Sequence, residues 1–599
     1  MTHNSHYQLS PASQNSQPDE KEKGRKKKPS PNKRINTLLG LFGVFALLLG
    51  AQLVRHQIFG MLPDTQTASA EISAKLRPRG AIVDTDGDPL AIERYRYDIA
   101  VSPNIIRNKQ KAAAFLGAKL SIPVDKVRQI LEDNQDRPYV ILKTNVPQDV
   151  GESIRAMNSY TVTAAIFPQR FHPEGKMAAH VLGFVSLDNQ GFYGLEGYFD
   201  NFLLAQTNKI EPLPSPKFKK QSNDAGKKAA LPASPYIPSI AQHDLILTLY
   251  RSLQYIAETR LEEGVKKYQA DSGVVIIMNP KSSAILAMAS TPSYYPDDFA
   301  SAPSGDVFVN PAISKIYEPG SVFKLITFAS ALNDHIITPE SIYLDTNKFV
   351  YYEQRIENWD HKGRGKVTAQ QALAESLNVT TAKIAVDVGA DKFYKTVTRF
   401  GFGMNTGIEL ANEAAGIVRT PKRSDEWYPA YLATNAFGQG ISVTPLQMAN
   451  AVAAIAAGGV LHRPHIVRMV INGSSIRSKE VESVSRAISP EAAKTLTQMM
   501  IAAANHTSKA TIDGYAIAGK TGTAEIPGLG GYKEARTIAT FIGFFPADDP
   551  QFLILVKLDR PKASAWASST AAPLFRKIAQ DIIHLYGIPP DDIRLGVSP

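Results

Sequence analysis

The 599-residue sequence contains no cysteine. That excludes disulfides, thiolate-ligated zinc and a cysteine nucleophile. It carries no H-E-x-x-H segment and no other histidine cluster with metal-ligand spacing, so neither a metal nor a cofactor is expected. No repeat of solenoid period is apparent. Charged residues are 20% of the chain and hydrophobic residues 44%, ordinary for globular protein. The length exceeds what one core supports, so two or three folded domains are expected.

The formal charge of +10 invites a nucleic-acid partner, but much of it sits in one place. Lys21, Lys23, Arg25, Lys26, Lys27, Lys28, Lys33 and Arg34 crowd the amino-terminal tail. A polybasic arm on DNA is one reading of such a tail. The better one follows directly along the chain. Leu38–Val54, LLGLFGVFALLLGAQLV, is apolar except for Gln52 and has Ile35 just before it. That is near the lower limit for a membrane-spanning helix, a gap that tilt or flanking residues can close. With the basic residues in front, residues 1–34 are expected in the cytoplasm, 35–55 in the inner membrane and the rest on the periplasmic side. A cleaved signal peptide fits less well, because Ala68-Ser69-Ala70 lies well past the apolar run. A buried core helix needs a partner domain in front, and residues 1–34 are polar and rich in Pro, Ser and Lys.

After the anchor come short apolar stretches, then a break over 205–243 rich in Pro, Ser and Lys, read as a linker or long exposed loop. From Leu245 the texture changes. Ser272–Ser290 is two strand-like runs around the Asn279-Pro280 turn. Alternating helices and strands follow, with Phe552–Lys557 as a strand and Ala571–Tyr586 as a helix near the end. This is the α/β pattern of a sheet with helices on its faces.

Glu318-Pro319-Gly320-Ser321-Val322-Phe323-Lys324 is the sharpest local feature. Pro319 and Gly320 break the chain, and SVFKLITFASAL then runs as an apolar stretch of helical length with almost no polar face. Ser321 in the first turn and Lys324 three residues on project from one face. Free backbone N–H groups and the positive end of the helix dipole lie beside such a serine. A lysine buried in this helix should lose its proton easily and can serve as base toward Ser321. An N-cap serine with a snorkelling lysine is the plain alternative.

Ala374–Thr380 falls between two helical patterns. In an extended turn Ser376 and Asn378 point the same way, and a hydroxyl and an amide suit proton relay and peptide binding. Tyr515–Thr523, YAIAGKTGT, reads as a strand ending in Lys520-Thr521-Gly522-Thr523. Gly522 allows close approach of a ligand lying along the strand. Lys520 supplies a positive charge and should stay charged, and Thr521 and Thr523 can bind a carboxylate. An edge strand with a protective lysine is the plain alternative here.

In this order the three segments resemble the S-x-x-K, S-x-N and K-T-G motifs of the penicillin-recognising serine transferases, here with S-L-N in the middle. The resemblance extends along the chain. Arg77-Pro78-Arg79-Gly80-Ala81-Ile82-Val83-Asp84 with Gly87 and Leu90-Ala91 is similar to the opening of class B penicillin-binding proteins. His180–Phe184, Gly194-Leu195-Glu196-Gly197 and Asp200 look like the next motifs of their pedestal. Phe437-Gly438-Gln439-Gly440, Thr444-Pro445-Leu446-Gln447 and Phe541–Pro546 match later segments. Tyr250 stands where relatives usually have Asp, and Thr85-Asp86 where Arg-Asn is commoner.

The resemblance implies a penicillin-binding-protein/β-lactamase-like transpeptidase domain over 244–588, a pedestal of dimerisation type over 56–204, and a tail over 589–599. It implies a serine D,D-transpeptidase that cross-links peptidoglycan stem peptides through an acyl-enzyme and is acylated by β-lactams. Ser321 would be the nucleophile and Lys324 its base. Ser376 would carry the proton to the leaving nitrogen, and Asn378 would orient the peptide. Lys520, Thr521 and Thr523 would hold the terminal carboxylate, with the oxyanion between the N–H groups of Ser321 and Thr523. Glu132-Asp133-Asn134-Gln135-Asp136 lacks the Phe and His of a glycosyltransferase motif, so that activity is expected of a partner protein. A septal, division-type role is expected; elongation-type synthesis or a mainly scaffolding role are the alternatives.

Overall fold

The computed structural model describes residues 79–205, 218–220, 243–422, 426–507, 509–526 and 536–596. The basic tail, the expected membrane span 35–55 and the start of the expected pedestal lie outside the described residues. Among the described residues no helix is long and apolar enough to cross a membrane.

The amino-terminal region builds on β1 (Ile82–Val83), β2 (Pro89–Val101), β3 (Val140–Val146) and β4 (Val162–Phe171), with β2 pairing antiparallel to both β3 and β4. Tyr97, Ile99 and Val101 of β2 pack on Leu116 and Leu120 of the helix Lys109–Leu120 and on Val127 and Leu131 of Val124–Asp133. This region is not a separate body hung on a linker. β1 pairs in parallel with β5 (His243–Leu247), and β5 pairs antiparallel with the strand Val467–Asn472. One sheet therefore runs from the amino-terminal region into the carboxy-terminal one. Gly80 makes the junction possible, because a Cβ there would fall 1.8 Å from the His243 carbonyl oxygen.

A buried ionic cluster fastens the same corner. Arg79 Nε lies 2.6 Å from Glu196 Oε2 and its Nη2 2.8 Å from Asp200 Oδ1. Arg170 Nη2 lies 2.6 Å from the other Glu196 oxygen, and its Nη1 donates to the Gly80 carbonyl at 2.8 Å. Burial alone would raise the Glu196 carboxyl; the charges of Arg170 and Arg79 outweigh it and hold the carboxyl below its ordinary value. The R-G and G-L-E-G segments of the sequence are thus two sides of one contact.

The carboxy-terminal region is built on five antiparallel strands: β6 (Ser272–Asn279), β7 (Ala284–Thr291), β8 (Ala518–Glu525), β9 (Thr537–Phe545) and β10 (Phe552–Asp559), in the order β7-β6-β10-β9-β8. Side chains alternate between the faces of a strand. Val275 and Ile277 of β6 join Ile554 and Val556 of β10 under α1 (Arg251–Tyr268) and the helix Ala571–Tyr586. Val274, Ile276 and Met278 join Leu553 and Leu555 on the opposite face, under α2 (Lys324–Asn333) and its neighbours. Helices cover both faces, which is why β6 reads as a continuous apolar run. β8 is an edge strand of this sheet.

Residues 218–220, inside the expected linker, pair with the strand Ser475–Lys479. The expected tail from 589 is a bound segment as far as 596. Asp591–Leu595 is a short helix, Asp591 Oδ2 accepts from the Ala516 N–H at 2.6 Å, and Arg594 pairs with Asp548 at 2.5 Å.

Candidate active site

Gly320–Phe323 forms a 3₁₀ turn that runs directly into α2, so Ser321 sits in the turn and Lys324 opens the α-helix. Every residue from Lys324 to Leu332 is buried, as the missing polar face requires. The Ser321 turn is pressed against β8. A Cβ on Gly522 would stand 2.9 Å from Val322 Cγ1 and 3.1 Å from the Pro319 carbonyl oxygen. The glycine of K-T-G therefore makes room for the protein's own Ser321 turn, where the sequence reading assigned it to a ligand. β8 also begins at Ala518 and continues to Glu525, so Lys520 lies inside the strand and does not end it.

Ser376 lies between the helix Ala369–Ala374 and α3 (Asn378–Val388). Its φ is 59°, left-handed, where an extended turn was expected. Such backbone strain in a non-glycine residue persists only where the surroundings fix it. Ser376 and Asn378 nonetheless meet at one point. Lys324 Nζ is 2.5 Å from the Ser376 carbonyl oxygen, 3.2 Å from Ser376 Oγ and 2.8 Å from Asn378 Oδ1. Lys520 Nζ reaches the same Ser376 Oγ from β8 at 3.0 Å and the Thr521 carbonyl at 3.2 Å. Asn378 Nδ2 donates to the Glu357 carbonyl at 3.0 Å, which fixes its orientation.

Both lysines are almost wholly inaccessible. Burial, with the nearby Lys520 charge, drives Lys324 well below the ordinary lysine value, and Asp345 opposes the change. Burial also pushes Lys520 down to about 7. Against the expectation that Lys520 simply stays charged, burial works to remove its proton. A neutral Lys324 amine has two hydrogens and one lone pair. With the hydrogens given to the Ser376 carbonyl and Asn378, the contact to Ser376 Oγ falls to the lone pair, and Lys520 can donate to that same hydroxyl. Nζ, Oγ and Nζ then form a chain along which a proton can move.

Above these groups lies a groove of about 440 Å³ lined by Ser321, Ser376, Asn378, Thr521 and Thr523. The two lysines and Gly522 stand behind its wall. Thr523 Oγ1 accepts from the Ala567 N–H at 3.1 Å, which leaves its own hydrogen for a ligand. Phe437 and Gln439 of the F-G-Q-G segment line the groove too, as do Trp359 and Trp566, with ring centroids 5.1 Å apart. Sequence reasoning passed over those two tryptophans. Their rarity, three in the whole chain, was the available signal. Glu375 also faces the groove, but its carboxylate is 2.8 Å from Arg364 Nε. Among the described residues no group of three or more His, Asp and Glu side chains is placed to hold a metal.

Residues 273–580 match the family described as penicillin binding protein transpeptidase domain, and residues 75–210 the penicillin-binding protein dimerisation domain. Stage V sporulation protein D of Bacillus subtilis is 31% identical over 520 residues, covering 86% of this chain and 79% of that protein. The peptidoglycan D,D-transpeptidase FtsI of Escherichia coli is 28% identical over 528 residues, covering 86% and 85%. Among solved structures, penicillin binding protein 3 of Mycobacterium tuberculosis in complex with aztreonam shares the fold with a TM-score of 0.65. That match has 23% identity and covers 86% of this chain and 98% of that one.

Proposed function

The chain belongs to the class B penicillin-binding proteins, and we propose that its D,D-transpeptidase reaction is acyl transfer through Ser321 in the groove between α2, the Ser376 turn and β8. The carrying observation is the convergence of Lys324 Nζ and Lys520 Nζ on Ser376 Oγ, with Ser321 in the same groove.

Ser321 Oγ attacks the penultimate D-Ala carbonyl of a stem peptide while neutral Lys324, its lone pair turned from the Ser376 hydroxyl to Ser321, takes the proton. The tetrahedral oxyanion is met by the N–H groups of Ser321 and Thr523; one such donor is worth about 2.7–4 kcal/mol of barrier. Collapse breaks the peptide C–N bond, and Ser376 passes the proton from Lys324 to the departing D-Ala nitrogen. An amine of a second stem then attacks the ester, its proton returns along the same path, and Ser321 is released. Lys520 in its charged form, with Thr521 and Thr523, holds the terminal carboxylate, and Asn378 and the backbone beside Gly522 align the peptide. A β-lactam enters as the donor does, and its acyl-enzyme stays in place because the ring nitrogen remains tethered.

We place the work at the division septum, supported by the FtsI relatives, with a single inner-membrane anchor at Leu38–Val54 preceding the pedestal 56–204 and the transpeptidase domain 244–588 in the chain. A separate glycosyltransferase supplies the glycan strands. The test is labelling of the purified full chain with a fluorescent penicillin, wild type against Ser321→Ala. The wild type should label and the folded variant should not; labelling that persists in the variant removes Ser321 from the reaction.

A further inference from the structure

Asp345 ends the strand Ile342–Asp345 behind the Ser376 turn, and only about 1% of it is exposed. Neither the motifs nor the mechanism above uses it. A carboxylate so buried is costly unless paired. No salt bridge to it exists among the described residues, since Arg364 turns to Asp360 and Glu375 at 2.8 Å each. Asp345 is satisfied by hydrogen bonds instead. Oδ1 accepts from Asn358 Nδ2 at 2.7 Å, from the Arg364 N–H at 3.2 Å and from the Asn347 N–H at 3.4 Å, and Oδ2 accepts from Thr380 Oγ1 at 3.0 Å.

Two of these donors lead to the catalytic groups. Asn358 Oδ1 accepts the Val379 N–H at 3.1 Å, and Thr380 lies in the same first turn of α3 as Asn378. The carboxylate thus holds the turn that aims Asn378 Oδ1 at Lys324 Nζ. Resting on the transpeptidase reading, we propose that Asp345 is a positioning residue of the reaction: it fixes the first turn of α3 against Lys324 and supplies the buried negative charge that keeps Lys324 an effective base. A base must be neutral to start the reaction and basic enough to hold the proton it takes.

The surroundings of Lys324 leave this task to Asp345. β8 presents Lys520, whose charge drives the proton off Lys324, while Asp345 acts in the opposite sense. α3 adds Asn378 and turns Lys383 away, its Nζ 2.6 Å from the Leu344 carbonyl. The loop before α3 holds Arg364, Asp360 and Glu375 in their own ion pairs, and Glu357 faces Arg355 and His361. The helix Ala390–Arg399 meets α2 through Thr396, bonded to Ser330. The helix Pro490–Thr507 buries Leu496 and Met500, exposes Glu491 and Lys494, and brings His506 to the edge of the groove.

The experiment is the rate of acylation by a fluorescent penicillin across a pH series, on the full chain. Asp345→Asn keeps the shape and removes the charge. Its acid limb should move to lower pH by about half a unit or more, about a threefold change in the neutral fraction, and its plateau should fall severalfold. Thr380→Val removes one hydrogen bond but leaves the charge, and its limb should stay at the wild-type position. A uniform loss of rate with the Asp345→Asn limb unmoved would overturn the proposal, as would an equal shift in Thr380→Val. Asp345→Ser carries the same comparison where Asp345→Asn does not fold, and failure of both to fold leaves Asp345 only a structural role and also overturns it. An unlabelled wild type, or a labelled Ser321→Ala, instead brings down the transpeptidase reading itself.

Discussion

Replacing Gly522 by alanine tests how the Ser321 turn is held in place. An added Cβ meets Val322 Cγ1 at 2.9 Å, the Pro319 carbonyl oxygen at 3.1 Å and the Val322 nitrogen at 3.2 Å, all on the turn that carries Ser321. Restoring ordinary contact moves that turn by a few tenths of an ångström, about half an ångström at Val322 Cγ1. Overpacking of this kind costs about 1–3 kcal/mol of stability. Misplacement by about 1 Å costs about 10²-fold in rate, so a loss on the order of tenfold is expected in the acylation rate constant. Acylation measured over a penicillin concentration series separates that constant from the affinity of the preceding complex, and denaturant unfolding gives the stability. Affinity should change little, while rate and stability fall together. Val322→Ala in the same chain removes only the first of the three contacts, so it should restore part of both losses and no more, a coupling visible in a double-mutant cycle. If Gly522→Ala weakened only the affinity, with rate constant and stability unmoved, the glycine would serve the ligand and the packing argument would be wrong.

The three motifs were legible because their chemistry is local. The spacing of Ser321 and Lys324, the apolar helix between Lys324 and Leu332, and the run Lys520–Thr523 each state their geometry within a few residues. What the sequence hid came from contacts between distant segments. The left-handed φ of Ser376 is imposed by packing and has no signature in Glu375-Ser376-Leu377. The purpose of Gly522 depends on Pro319 and Val322, and the lowered proton affinity of Lys520 depends on how completely β8 is covered. In the pedestal, Arg79 and Glu196 were noted as parts of separate motifs, and only the fold turns them into a bonded pair. Asp345 had no signal at all, since nothing beside it in the chain distinguishes it from a surface aspartate. The membrane span remains a reading of Leu38–Val54, outside the described residues.

Glu196→Gln leaves Arg79 and Arg170 without their shared countercharge, so unfolding should show a loss of about 3–5 kcal/mol, and a loss under about 1 kcal/mol would refute the cluster's importance. Lys324→Arg should abolish acylation, because a guanidinium does not act as the base, whereas Lys520→Arg should retain some with weaker capture of penicillin; the reverse order would overturn the division of roles. The last prediction follows from the burial of Lys520. Lys324 works as the base only when neutral, so acylation by dilute penicillin rises as pH climbs through the lowered Lys324 value. Lys520 holds a carboxylate only when charged, so the same rate should fall again as pH rises through about 7. Stability moves the other way. The unfolded chain keeps the Lys520 proton up to about 10.5 and the folded chain loses it near 7, so between those values the unfolded state binds more protons and stability rises with pH. Below that window the cost of burying the ammonium is fully present. A penicillin carboxylate facing Lys520 raises its proton affinity, so at saturating penicillin the alkaline limb should shift upward. An alkaline limb at the ordinary lysine value in dilute penicillin would show that burial does not lower the proton affinity of Lys520, and the argument from its burial would fall.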